Sequence, residues 1–150
     1  MGDVLSLPKA ELEFFIAGSV CLVLWVSLSI RRFYQMPSHY KKSKWYMFGM
    51  VTSVLSMIIW MGGTLLQALY QLSSLFLDLS AIVFCILVIC GGYGMQQALK
   101  KEPELFVNEE KKLKKKYRML YVIGILFLIY NSALFLGTMY LRYSRTGYYL

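Results

Sequence analysis

The chain has 150 residues, 58% of them hydrophobic and 16% charged, with a formal net charge of +8. A mean hydropathy of +0.54 over so short a chain excludes a separate soluble domain and reads as a membrane protein. The positive charge does not argue for nucleic acid, because the basic residues stand at the ends of apolar stretches and not along an independent folded face.

Before the first apolar stretch come Asp3 and Lys9, with neither a basic leader region nor a small-residue cleavage site, so the first span is expected to be retained. Met1-Gly2 followed by Ser6 fits the loose myristoylation pattern, but Asp3 and an outward-facing N-terminus argue against that modification. Four apolar stretches follow, at approximately residues 11–31, 45–70, 75–99 and 117–142. Each is close to or beyond the roughly 20 residues that cross a hydrocarbon core about 30 Å thick. The expected fold is an all-α membrane protein: one domain over residues 1–150, a four-transmembrane-helix antiparallel bundle with a cytoplasmic extension of the fourth helix.

Orientation follows from charge. The connection Arg31–Lys44 and the connection Lys100–Arg118 hold 13 of the 16 Lys and Arg residues, against Lys9, Arg142 and Arg145 at the other ends of the spans. The positive-inside rule therefore puts both basic loops in the cytoplasm and both termini outside. The third connection has structure of its own. Pro103 disfavours helix at Glu102, and Asn108 before Glu109 and Glu110 reads as an N-cap, so the last helix should start near Glu109. Its first turns should then project below the bilayer and carry Lys111, Lys112, Lys114, Lys115 and Lys116, a surface for anionic lipid headgroups or an acidic partner. Trp45, Tyr46, Tyr70, Tyr117, Tyr140, Tyr143, Tyr148 and Tyr149 stand where aromatic rings settle at headgroup level.

Between helices in lipid, small residues allow close backbone approach and polar residues bond across. In the second span Gly49, Ser53, Ser56, Trp60, Gly63, Gln67 and Tyr70 follow alternating spacings of four and three, one face of a left-handed bundle. The third span answers with Asp78, Ala81, Cys85, Val88, Gly92 and Met95. Shorter seams are expected in the first span (Phe14, Gly18, Cys21, Trp25) and in the fourth (Gly124, Phe127, Asn131, Leu134, Thr138). The glycine pairs Gly62-Gly63 and Gly91-Gly92 allow a second reading, as kinks or opened backbone.

Three polar residues have unusual depths. Asp78 lies about one turn into the third span, and Arg142 is its natural ion-pair partner, with Lys9 and Arg145 as alternatives. A cation or proton site, or a hydrated interfacial carboxylate, are the other readings. Asn131 falls near the middle of the fourth span, where its amide should bond to another helix. Gln67 and Gln71 are expected at the interface. His39, the only histidine, reads as a loop residue without a catalytic duty.

Chemistry is hard to assemble from this set. Cys21, Cys85 and Cys90 form no C-x-x-C pair and read as apolar filler, and Glu11 and Glu13 point to different helix faces. No cofactor or metal is expected, and no enzyme. The expected function is a non-catalytic accessory or assembly subunit of a larger membrane complex, partnered by other integral membrane subunits or by further copies of itself. A small oligomeric channel or transporter, lined by Asp78 and Asn131, is the rival.

Overall fold

The computed structural model describes residues 9–70, 72 and 74–147. The myristoylation pattern, Gln71, Tyr148, Tyr149 and the side chain of Glu11 lie outside the described residues. In chain order the elements are α1 (Lys9–Gln35), α2 (Ser38–Lys42), α3 (Lys44–Tyr70), α4 (Ser74–Lys101), a 3-10 turn (Pro103–Phe106) and α5 (Glu110–Thr146). Four of these, α1, α3, α4 and α5, are long and apolar enough to cross a membrane.

Local chemistry sets the boundaries. Pro37, extended at ψ 146°, lacks an N–H and keeps the residue before it out of helical geometry, which ends α1 and starts the short α2. The buried Ser43 opens α3, its Oγ accepting from the backbone N–H of Tyr46 at 3.1 Å, an N-cap bond. At the far end of α3, Gln67 closes the turn: its carbonyl accepts from the N–H of Leu72 at 3.2 Å, and its side-chain amide donates to the Leu72 carbonyl at 3.1 Å. Pro103 begins the 3-10 turn as its first residue, with Glu102 left at φ −130°. The last helix starts one residue later than expected, with Glu109 and not Asn108 at the N-cap position. The turn runs on through Asn108, because the N–H of Glu109 donates back to the Phe106 carbonyl at 3.0 Å. Gly147, at φ 73°, ends α5 in the left-handed conformation that suits glycine, its N–H donating to the Tyr143 carbonyl at 2.7 Å.

The long helices pack in series, α1 on α3, α3 on α4, and α4 on α5. Contacts along the seams fix opposed chain directions. Gly49 faces Gly91 and Met95 at one end of the α3–α4 seam, and Gly63 faces Ser80 toward the other. Gly92 faces Tyr117 and Leu120 while Gly124 faces Ile89 and Cys85 along α4–α5. The 13 basic residues of the two long connections therefore gather at one end, called here the basic end.

The helices run through their glycines without interruption. Gly91, Gly92 and Gly94 are all buried and each meets a neighbouring helix, so the cluster serves close packing and not a break. A side chain at Gly94 would meet the backbone N of Gly49 at 2.7 Å and the carbonyl O of Trp45 at 2.9 Å. Gly62, by contrast, has open space around it.

A cluster of buried hydrophobic residues lies at the basic end. Tyr40 of α2, Tyr46 of α3 and Phe106 of the 3-10 turn form a ring cluster, with centroids 4.7 Å, 5.3 Å and 5.9 Å apart. Met95, Ala98 and Leu113 close over it, Phe106 being 1% and Leu113 3% exposed. Tyr46, expected as an interfacial ring, is thus part of a core. The first turns of α5 join that cluster through Leu113.

Candidate functional site

At the basic end residues of α1, α3 and α5 line a crevice, with a cavity of about 360 Å³. That volume lies in the range of small-molecule sites. α1 contributes Trp25, Ser29 and Arg32; α3 contributes Met50, Ser53 and Val54; α5 contributes Lys112, Lys116 and Leu120. Tyr40 and Tyr46, two members of the ring cluster, also line the crevice. At 1.5 Å per residue, Arg32 to Trp25 along α1, Tyr46 to Val54 along α3 and Lys112 to Leu120 along α5 each span roughly 10–12 Å, so the three walls agree on a depth.

The walls are graded. Arg32, Lys112 and Lys116 surround the mouth, and the ammonium of Lys116 lies 5.9 Å from the Tyr46 ring centroid and within electrostatic reach of the other two cations. No acidic side chain lines the cavity among the described residues. Deeper, the surface is apolar. The hydroxyls there are already used within their own helices: Ser29 Oγ donates to the Trp25 carbonyl at 2.8 Å, and Ser53 Oγ to the Gly49 carbonyl at 2.8 Å. Trp25 Nε1 is different, a buried N–H with no acceptor in the protein. A donor left so costs on the order of 1–3 kcal/mol. Chemically, the arrangement favours an anionic group at the mouth and apolar material below it.

The other basic residues are dispersed or engaged elsewhere. Lys114 pairs with Glu110 one turn earlier, Lys101 lies 4.5 Å over the Trp45 ring, and Lys111 and Lys115, exposed like Arg32, Lys112 and Lys116, do not line the cavity. His39 stacks on Tyr40 at 4.4 Å and its Nε2 stands 3.7 Å from a Glu109 carboxylate oxygen, which ties the two basic connections together.

Of the polar residues within the long apolar helices, Asp78 and Arg142 were expected to pair, but no ion pair joins them in the structure. Cys85 is level with Asn131 and Gln96 with Tyr121, which sets Asp78 level with Thr138 and leaves the exposed Arg142 about one turn, roughly 5–6 Å, beyond it. Asn131 reaches across to Cys85 Sγ at 4.0 Å, yet its firmer bond, at 2.8 Å, is to the Phe127 carbonyl of its own helix.

Among the expected seam residues, Gly49, Ser56 and Gly63 are buried against α4, and Ala81 and Cys85 are buried on α4. Ser53 is half-buried and meets Gly91. Gly92 packs on α5 and not on α3, because α4, in the middle of the row, presents two faces. Gln67 closes a turn and does not pack a seam. The inward face expected of the first span is formed in part: Phe14 and Cys21 are exposed, whereas Gly18 lies against Leu65 of α3 and the half-buried Trp25 lines the crevice. On α5, Phe127 and Leu134 are also exposed.

Sequence reasoning missed Arg32 and Trp25 as members of one site, and it missed the Tyr121 hydroxyl donating to Gln96 Oε1 across α4–α5 at 2.8 Å. The aromatic residues inside the basic connections were the available signal for a folded end. No group of three or more potential metal ligands occurs among the described residues. No family model matches the chain, and neither curated proteins nor solved structures give a significant match.

Proposed function

We propose that the chain is a multi-pass integral membrane protein, an antiparallel four-helix assembly with the basic end cytoplasmic and both termini outside, acting as a non-catalytic accessory or assembly subunit. Four helices of sufficient length and apolarity support the embedding, and the clustering of basic residues at one end supports the orientation. Single-faced attachment of α1 carries the reading of a subunit. α1 packs on α3 alone among the long helices to any extent, and none of its most apolar window is buried within the chain. A 27-residue helix so attached has most of its circumference free for a second membrane protein.

Photo-crosslinkers placed at Val20 and Leu24, both exposed on α1, test this in native membranes. The expected result is one stoichiometric protein adduct at these positions and none at the buried Val88. Recovery of the uncrosslinked chain alone, monomeric at both positions, overturns the reading. Specific ion or solute flux by the purified chain in liposomes, abolished by Asp78→Asn, favours the channel or transporter instead.

A further inference from the structure

We infer that the crevice between α1 and α5 is a binding site for one anionic phospholipid, its phosphate held by Arg32, Lys112 and Lys116 and the upper part of an acyl chain lying against Val54 and Leu120. The inference rests on the membrane embedding proposed above but not on the presence of a partner subunit.

Three features carry it together. The cations converge on one mouth from two helices far apart in sequence, with no acid among the residues lining the cavity to neutralise them. Unsatisfied positive charges this close repel one another, and a phosphate removes that repulsion while accepting hydrogen bonds from all three. The floor then changes character within roughly 10–12 Å, from cationic to apolar, as a lipid does between headgroup and chain. A free phosphate would satisfy only the mouth. An uncharged lipid would satisfy only the floor. The site also sits at the level where the helices leave the apolar part of their sequence, so a lipid can enter sideways between α1 and α5 with its headgroup already at the correct depth.

The test uses the full chain in detergent, titrated with phosphatidylglycerol, phosphatidylcholine or inorganic phosphate, and read by native mass spectrometry. One phosphatidylglycerol per chain is expected, bound about tenfold or more tighter than phosphatidylcholine. Arg32→Gln with Lys116→Gln should weaken it by about tenfold or more, whereas Lys111→Gln with Lys115→Gln, outside the cavity, should change it less than about twofold. Val54→Trp fills the floor and leaves every cation in place, so it should also weaken binding, by about fivefold or more. Equal loss in both lysine-containing pairs with no effect of Val54→Trp would mean diffuse adsorption to a basic surface and would overturn the site. Inorganic phosphate displacing the lipid at equal concentration would overturn the lipid in favour of a free anion. If the variants fail to fold, the thermal shift of the unaltered chain decides: stabilisation by phosphatidylglycerol beyond that by phosphatidylcholine supports the site, and equal shifts reject it.

Discussion

Gly94→Ala should open the α3–α4 seam. The added methyl would stand 2.7 Å from the backbone N of Gly49, 2.8 Å from its Cα and 2.9 Å from the Trp45 carbonyl O, whereas ordinary contact begins near 3.4 Å. All three are backbone atoms, so no side chain can swing aside and the two helices must part by about 0.7 Å locally. A gap of that size forfeits a quarter to a half of each dispersion contact, themselves worth about 0.1–0.2 kcal/mol. Over the ~40 atom pairs typical of one well-packed side chain, the loss is about 1–4 kcal/mol, in line with measured costs of overpacking. Gly62→Ala is the matched control, since it changes the same residue type in α3 with nothing within 4 Å, and should be neutral or stabilising by up to ~1 kcal/mol. Unfolding of the purified chain in mixed micelles, followed by denaturant titration, gives both values. Gly49→Ala meets the Gly91 carbonyl O at 2.7 Å and acts through the same separation, so the double variant should cost less than the sum. Equal stability of Gly94→Ala and Gly62→Ala would refute the close-approach argument.

Phe106→Ala removes the fully buried ring between Tyr40 and Tyr46 and should cost about 3–5 kcal/mol, seen as faster limited proteolysis in both basic connections and little change at the α3–α4 turn. Tyr121→Phe deletes the 2.8 Å hydrogen bond between the side chains of Tyr121 on α5 and Gln96 on α4 and should cost on the order of 0.6–1.7 kcal/mol in the same micelle titration. Asn131→Leu should cost less than Tyr121→Phe, because the amide's contact with Cys85 is at 4.0 Å and its other bond is internal to α5; a larger loss would mean that the cross-helix contact is stronger than its geometry. Asp78→Asn and Arg142→Gln should be additive within about 0.5 kcal/mol, and a coupling above ~1 kcal/mol would restore the ion pair.

Sequence alone determined the four long helices and the gathering of basic residues, because the length of an apolar run and the placement of Lys and Arg are properties of the chain read in order. It also singled out Gly49, Ser56, Gly63 and Cys85, since a 3.5-residue spacing of small residues marks a packing face whichever helix lies opposite. What lies opposite is a tertiary matter. Only the packed structure decided that α4 stands between α3 and α5, that Gly92 belongs to the second of those interfaces, and that Gln67 finishes a helix and does not join two. Asp78 and Arg142 likewise lie toward the same end of neighbouring helices and do not pair, the exposed Arg142 standing one turn beyond the level of Asp78. Arg32 and Lys116 are far apart in the chain and unremarkable among 16 basic residues, and they share a cavity because α1 and α5 both border a space that α3 also lines. Convergence of that kind depends on helix direction and spacing in three dimensions, which no periodicity along one strand of sequence encodes.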